Sequence, residues 1–254
     1  MKTGYFFDLD GTMYSNRTHS ASPGIVEALT SLQEQGNKVI LASSRTMREL
    51  DHLPRDLYHY PFDARILDGG SRILDKKGND VFVRAIPEST VEKIQRFCQE
   101  KNLIWRYSTA QGNYWGSLPD IQAHTIYFDL YLSTPVYKPY DKDEVLNILI
   151  FIKDKKELLS LIPECGVVLF DEGIEIRAQG IDKIHAIRWC KENYELEKII
   201  CFGDGENDIE MLKGADLGIC MGNGNPRLKE VADRVIGTVT EGGIAQYLKE
   251  EKLI

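Results

Sequence analysis

Apolar side chains fall into different rhythms along this chain. Near the start, Tyr5-Phe6-Phe7 reads as a short strand that runs into Asp8-Leu9-Asp10-Gly11-Thr12. A helix is expected next, with Ser22 as its N-cap, Pro23 at its first position, Ile25, Val26, Leu29 and Leu32 on one stripe, and Gly36 as its stop. Val39-Ile40-Leu41-Ala42 is apolar without alternation, the mark of a strand covered on both faces. Strand, helix and buried strand predict a parallel sheet with right-handed crossovers.

The last third repeats that grammar. Residues 182–194 read as a helix, Ile199-Ile200-Cys201-Phe202 as the heart of a second buried strand, 207–213 as a short helix, and Leu217-Gly218-Ile219-Cys220-Met221 as a further strand. Asn225-Pro226 opens another helix, and 241–248 reads as the last. In between, residues 73–86 read as a hairpin turning at Lys77-Gly78-Asn79. From about Arg84 to Gln179 the strands look half-exposed: Ile126, Phe128, Leu130 and Leu132 alternate with Tyr127, Asp129 and Tyr131, as in a sheet with one covered face. Helices are expected at 89–100 and 154–162. The chain therefore reads as an α/β core with a Rossmann-like parallel sheet, built from residues 1–83 and 180–254, with an α+β domain, 84–179, inserted into it.

Composition narrows the classes. With 43% hydrophobic and 28% charged residues over 254, the chain is an ordinary globular one, long enough for a proper core. A net charge of −8 argues against nucleic acid as a partner, while leaving room for a small anionic substrate. The longest apolar run, around 146–152, is too short to cross a bilayer, and Asp8 and Asp10 stand where a secretion signal needs apolar residues. Cys98, Cys165, Cys190, Cys201 and Cys220 form no CxxC pair and read as reduced thiols, so a cytoplasmic protein is expected. Its oligomeric state is open between a monomer and a small homo-oligomer.

The chemistry concentrates at predicted strand ends. Asp8 and Asp10 end the first buried strand, the edge where open parallel sheets bind ligands. Gly203-Asp204-Gly205-Glu206-Asn207-Asp208 follows another. Asp8, Asp10, Asp204 and Asp208 would converge at one sheet edge, and hard oxygen ligands of this kind suit Mg²⁺. Ser43, in Leu41-Ala42-Ser43-Ser44-Arg45, offers a hydroxyl at a phosphate-binding corner, and Lys183 could neutralise a phosphoryl group. The five histidines show no ligand spacing. The inserted segment is rich in aromatics (Trp105, Tyr107, Tyr114, Trp115, Tyr127, Phe128, Tyr131, Tyr137, Tyr140), expected mainly to form its small core and its contact with the main sheet.

Together, Asp8-Leu9-Asp10-Gly11-Thr12, Ser43, Lys183 and Gly203-Asp204-Gly205-Glu206-Asn207-Asp208 resemble the four motifs of the haloacid dehalogenase (HAD) superfamily. Met221-Gly222-Asn223-Gly224-Asn225, Ala232-Asp233 and Glu241-Gly242-Gly243 resemble its Cof-type sugar-phosphatase branch, in which a large α/β cap lies between motifs two and three. The resemblance implies that Asp8 is the nucleophile, forming an aspartyl-phosphate, and that Asp10 is the general acid and base. It also implies Mg²⁺ held by Asp8, the Asp10 carbonyl and Asp204, with Asp208 ligating directly or through water, and Ser43, Lys183 and Asn207 on the phosphoryl oxygens. The implied activity is phosphatase action on a small phosphate monoester, with a sugar phosphomutase or a non-enzymatic phospho-acceptor as alternatives. Three positions depart from the family pattern: Ser44 and Asp68, where relatives carry Gly and Asn, and Ile184, where they carry Gly.

Overall fold

The computed structural model describes residues 2–130 and 132–254. Two sheets organise them. The larger has eight strands in the order Arg234–Val235, Leu217–Cys220, Lys198–Gly203, Thr3–Phe7, Lys38–Ala42, Ala64–Leu67, Arg72–Asp75 and Asp80–Val83. The first six run parallel, and the last two form the expected antiparallel hairpin at one edge. The N-terminal strand pairs with Lys198–Gly203 on one side and Lys38–Ala42 on the other, so both ends of the chain meet at the centre.

Strand periodicity explains how this sheet is covered. In Thr3–Phe7 the side chains of Tyr5 and Phe7 point to one face, where they pack with Leu29, Leu41, Ile244 and Leu248 beneath the helices Ile25–Glu34 and Gly243–Glu250. Phe6 points to the other and meets Ile40, Ile66, Ile187 and Cys201 beneath the helices Lys183–Asn193 and Ile209–Lys213. A sheet buried on both sides has no solvent face for polar residues, which is why its strands read as uninterrupted apolar runs.

The first helix starts later than the sequence suggests. Its N-cap is Gly24, in the left-handed region with φ 71°, and Ser22 contributes only its carbonyl, accepting from Ile25 N at 3.1 Å. Residues 14–21 preceding it form a small hairpin, Tyr14–Ser15 against Ser20–Ala21.

The smaller sheet lies in the inserted segment, with strand order Val136–Tyr137, Asn113–Trp115, Trp105–Ser108, Asn147–Phe151, Gly173–Arg177 and Gly166–Phe170. The helices Glu88–Glu100 and Lys156–Leu161 cover one face, where Val91, Ile94, Phe97 and Leu158 pack on Trp105, Tyr107, Ile148, Ile150, Ile174 and Ile176. Where the alternation around residues 126–132 suggests a strand, residues 126–129 are helical. Residues Ile121–Asp129 form a helix whose N-cap, Asp120, accepts from Ala123 N at 2.8 Å. It buries Ala123 and Tyr127, one turn apart, and leaves Ile121 and Phe128 exposed. Tyr131 lies outside the described residues. Trp105, Tyr107 and Tyr140 are buried among core side chains of the insert, and Trp115 forms a satellite cluster with Tyr127, so these rings serve packing.

The other face of the insert's sheet also departs from expectation. It is polar, as alternation demands, yet Arg106, Ser108, Asn147, Glu175 and Arg177 are all buried. They face the parallel sheet's loops instead of solvent. Among the described residues, no helix is long and apolar enough to cross a membrane.

Candidate active site at the strand ends

Asp8 emerges from the end of the first strand, with its N–H donating to Phe202 O across to the neighbouring strand at 2.9 Å. The stacked rings of Phe7 and Phe202, centroids 4.7 Å apart, pack within the core just before these strand ends. Gly11, at φ 76°, turns the chain back. A Cβ there would stand 2.0 Å from Asp204 Oδ2, so only glycine lets the two acidic loops come this close.

Carboxylate oxygens of Asp8, Asp204 and Asp208 lie within 4.8 Å of one another. Lys183, fully buried at the start of its helix, binds two of them: its Nζ donates to Asp8 Oδ1 at 2.5 Å and to Asp208 Oδ1 at 2.7 Å. Asp208 Oδ2 accepts from the N–H groups of Asp204 and Gly205, at 3.1 and 3.0 Å. Thr12 Oγ1 donates to Asp204 Oδ1 at 3.4 Å, and Asn223 Nδ2 reaches Gly11 O at 2.8 Å and Asp204 Oδ2 at 3.4 Å.

This crowding shows in the titration of the group. Burial, followed by the Asp208 charge, pushes the Asp8 carboxyl well above the usual carboxylate range, with Lys183 pulling the other way. The same two causes push Asp204 up to about 7. Burial would lower the Lys183 pKa, but Asp208 and Asp8 outweigh it and hold the ammonium charged. Three carboxylates around one lysine leave an excess of negative charge, and their hard oxygen donors fit a divalent cation such as Mg²⁺.

Asp10 is apart from this group. Its carboxylate turns to Arg45, which grips both oxygens, Nε to Oδ2 at 2.7 Å and Nη2 to Oδ1. Arg45 is itself fixed by Glu49 O, Asn16 Oδ1 and the His52 ring. Burial and the neighbouring Arg45 charge lower the His52 pKa to about 4, which leaves a neutral imidazole against the guanidinium at neutral pH.

Among residues expected to hold phosphate, Ser43 is buried, with its Oγ accepting from Arg45 N at 3.1 Å. The neighbouring Ser44 instead lines the cleft over the carboxylates, together with Asp8, Asp10, Asn16, Asp204 and the exposed Asn207. Ser44 Oγ accepts from Arg177 Nη2 at 3.3 Å and Asn207 Nδ2 at 3.5 Å. The cleft encloses about 580 Å³.

The insert closes one side of this site through a polar seam that sequence reasoning did not find. Glu49 accepts at Oε1 from Asn113 Nδ2 at 2.8 Å, Tyr127 Oη at 3.3 Å and Arg106 Nη2 at 3.4 Å. Its other oxygen completes a capping box with Thr46. Arg177 Nη1 donates to Gly69 O at 3.0 Å, and a Cβ on Gly69, which has φ 66°, would fall 2.0 Å from that guanidinium. Asp68, the departure noted above, accepts from Ser108 Oγ at 2.6 Å, and burial pushes its carboxyl up to about 7. The detectable signal for this seam was the period-two alternation of Trp105-Arg106-Tyr107-Ser108 and Ile174-Glu175-Ile176-Arg177.

A doubly covered parallel sheet with acidic strand ends, overlain by an inserted α+β cap, defines the class: a capped α/β enzyme. The model of the haloacid dehalogenase-like hydrolases matches residues 5–248, and the chain belongs to that family. It is 26% identical over 258 residues to the putative phosphatase YkrA of Bacillus subtilis, covering 98% of this chain and 97% of that protein. It is also 26% identical over 248 residues to the 5-amino-6-(5-phospho-D-ribitylamino)uracil phosphatase YcsE of the same organism, covering 95% and 92%. Among solved structures, the HAD subclass IIB sugar phosphatase BT4131 superposes with a TM-score of 0.90 at 26% identity over the whole of both chains.

Proposed function

We propose that this protein is a Mg²⁺-dependent phosphatase that hydrolyses a small phosphate monoester, a sugar phosphate or similar compound, by way of an aspartyl-phosphate on Asp8. The observation that carries this reading is the meeting of Asp8, Lys183, Asp204 and Asp208, from opposite ends of the chain, beside a separately held Asp10. The relatives named as phosphatases support it. We assign residues 1–83 and 180–254 to the catalytic core and 84–179 to the cap, and place the protein in the cytoplasm, in keeping with its five free thiols.

An Asp8 oxygen attacks phosphorus in line with the ester bond. As the P–O bond breaks, Asp10 gives a proton to the departing alkoxide. Asp10 then takes a proton from water, whose oxygen attacks the phosphorus of the aspartyl-phosphate, releasing inorganic phosphate and restoring Asp8. Lys183 holds Asp8 in place and offsets charge at the phosphoryl group. Arg45 occupies both Asp10 oxygens here, so this pair opens when Asp10 carries the proton. Ser44 and Asn207 line the cleft where phosphoryl oxygens would be received, and Ser43 stands behind them. Asp8, Asp204 and Asp208, with the Asp10 carbonyl, would hold the Mg²⁺, which when bound supplies charge neutralisation between nucleophile and substrate.

The test is turnover of a panel of phosphate esters in ¹⁸O-labelled water, with and without Mg²⁺. Metal-dependent release of phosphate carrying the label is the expected result. Phosphoryl transfer to a second sugar without label in free phosphate would replace hydrolysis by a mutase reaction, and absence of turnover on every ester would sink the proposal.

A further inference from the structure

A second cleft, sharing no lining residue with the one over Asp8, lies between the core and the cap. It encloses about 340 Å³ and is formed by the turn Met47–Leu50, the strands Ala64–Leu67 and Arg72–Asp75, and the cap turn 109–112. Three arginines line it, Arg48, Arg65 and Arg72, against one carboxylate, Asp51.

Two of the three are already matched. Arg48 pairs with Asp51 at 3.1 Å, and Arg72 pairs with Asp80 through Nε and Nη2 while donating to Ala110 O of the cap at 3.0 Å. Arg65 differs. Among the described residues it meets Tyr60 O, which accepts from Nη2 at 2.7 Å, and the Phe62 ring, whose centroid lies 5.3 Å from Cζ. Neither carries a full negative charge, and burial accordingly lowers the Arg65 pKa. A half-buried guanidinium without a carboxylate bears a desolvation cost that an anion would offset.

We propose that this cleft is a second anion site, which takes a phosphoryl group, free or on a small metabolite, through Arg65 with help from Arg48. The planar guanidinium fork matches a phosphoryl group two oxygens at a time. Because the wall is part core and part cap, an occupant touches both and couples the cap's position to anion concentration. The inference stands apart from the catalytic reading, since no residue of the Asp8 cleft takes part.

Calorimetric titration of metal-stripped protein with inorganic phosphate tests it. Loss of heat in the arginine variants assigns it to this cleft, and heat they leave unchanged belongs to the carboxylate cluster. One equivalent is expected for the unaltered chain and for Asp8→Asn. Arg65→Gln should weaken binding about tenfold or more, as loss of a charge-assisted contact does, and Arg48→Gln about two- to threefold. Arg48 is 65% exposed, so its variant keeps the fold even if Arg65→Gln does not. A ribose 5-phosphate arm on Asp8→Asn separates the sources: binding tighter than phosphate that Arg65→Gln also weakens identifies an ester, equal binding the free ion. No saturable heat up to about 10 mM, or affinity unchanged in both arginine variants, overturns the site.

Discussion

Two buried polar regions in this protein obey different rules. At the strand ends, Lys183 binds Asp8 and Asp208 with Asp204 beside them, so three acidic groups crowd around one ammonium. In the seam between core and cap, Glu49 meets Arg106, Asn113 and Tyr127, and Arg177 meets Glu175 and Gly69 O, so most charges there find a partner. The first region gathers hard oxygen donors of one sign that could hold a cation. The second is closer to neutral and serves position. Buried charge of one sign marks chemistry, and buried charge in balance marks architecture.

Breaking the first region should have the largest effect. Asp8→Asn is expected to lower turnover by a factor of about 10³ or more, because an amide cannot attack phosphorus, while the urea midpoint stays the same or rises. Removing divalent ions should likewise bring turnover to background, with Mg²⁺ restoring it and Ca²⁺ restoring little; a chelated enzyme that keeps its rate would remove the ion from the proposal. Lys183→Met separates charge from nucleophile: it strips the shared cation and should destabilise the metal-free protein by roughly 3–5 kcal/mol, with Mg²⁺ recovering part of that loss. Equal stability with and without Mg²⁺ in this variant would count against a shared ion site.

The seam should respond as a balanced network. Arg106→Met leaves Glu49 short of a charged partner and should cost about 3 kcal/mol, visible in urea melts, whereas Glu49→Gln combined with Arg106→Met should cost less than the two single changes together. Simple additivity would show that the two residues do not interact. The last effect, read as a pH dependence, concerns Asp68, which has no cation in contact among the described residues. Its folded pKa, about 7, exceeds the unfolded value, so the native state binds the extra proton and stability falls as pH rises from about 4 through 7. The slope should amount to at most about 2–4 kcal/mol and flatten in Asp68→Asn; an unchanged slope would place the proton elsewhere.

The same contrast explains what could be read in the sequence. Asp8 and Asp10, and Asp204 and Asp208, sit within a few residues of the ends of apolar runs, so strand geometry alone aims them at one edge. The seam is different: alternation in Trp105-Arg106-Tyr107-Ser108 reveals that one face is polar but not what lies on it. Only the fold brings Glu49 within reach of residues 106, 113 and 127. Ser43 and Ser44 show the limit at the scale of one residue. Both are serines at a strand end, yet backbone pairing of Ser43 with Ile66 and Gly69 turns its hydroxyl to Arg45 N, and Ser44 lines the cleft. Residues 126–132 misled because a chance period of two hid a helix whose capping signal, Asp120, lies upstream.

The strand beginning at Thr3 lies between Lys38–Ala42 and Lys198–Gly203. During synthesis, then, the first strand waits with one flank open until nearly 200 further residues have left the ribosome, while the insert can fold from its own nearby segments. A chain arrested before Asp204 would present Asp8 without Asp204 and Asp208, so the carboxylate cluster assembles only after the strand Lys198–Gly203 has been made.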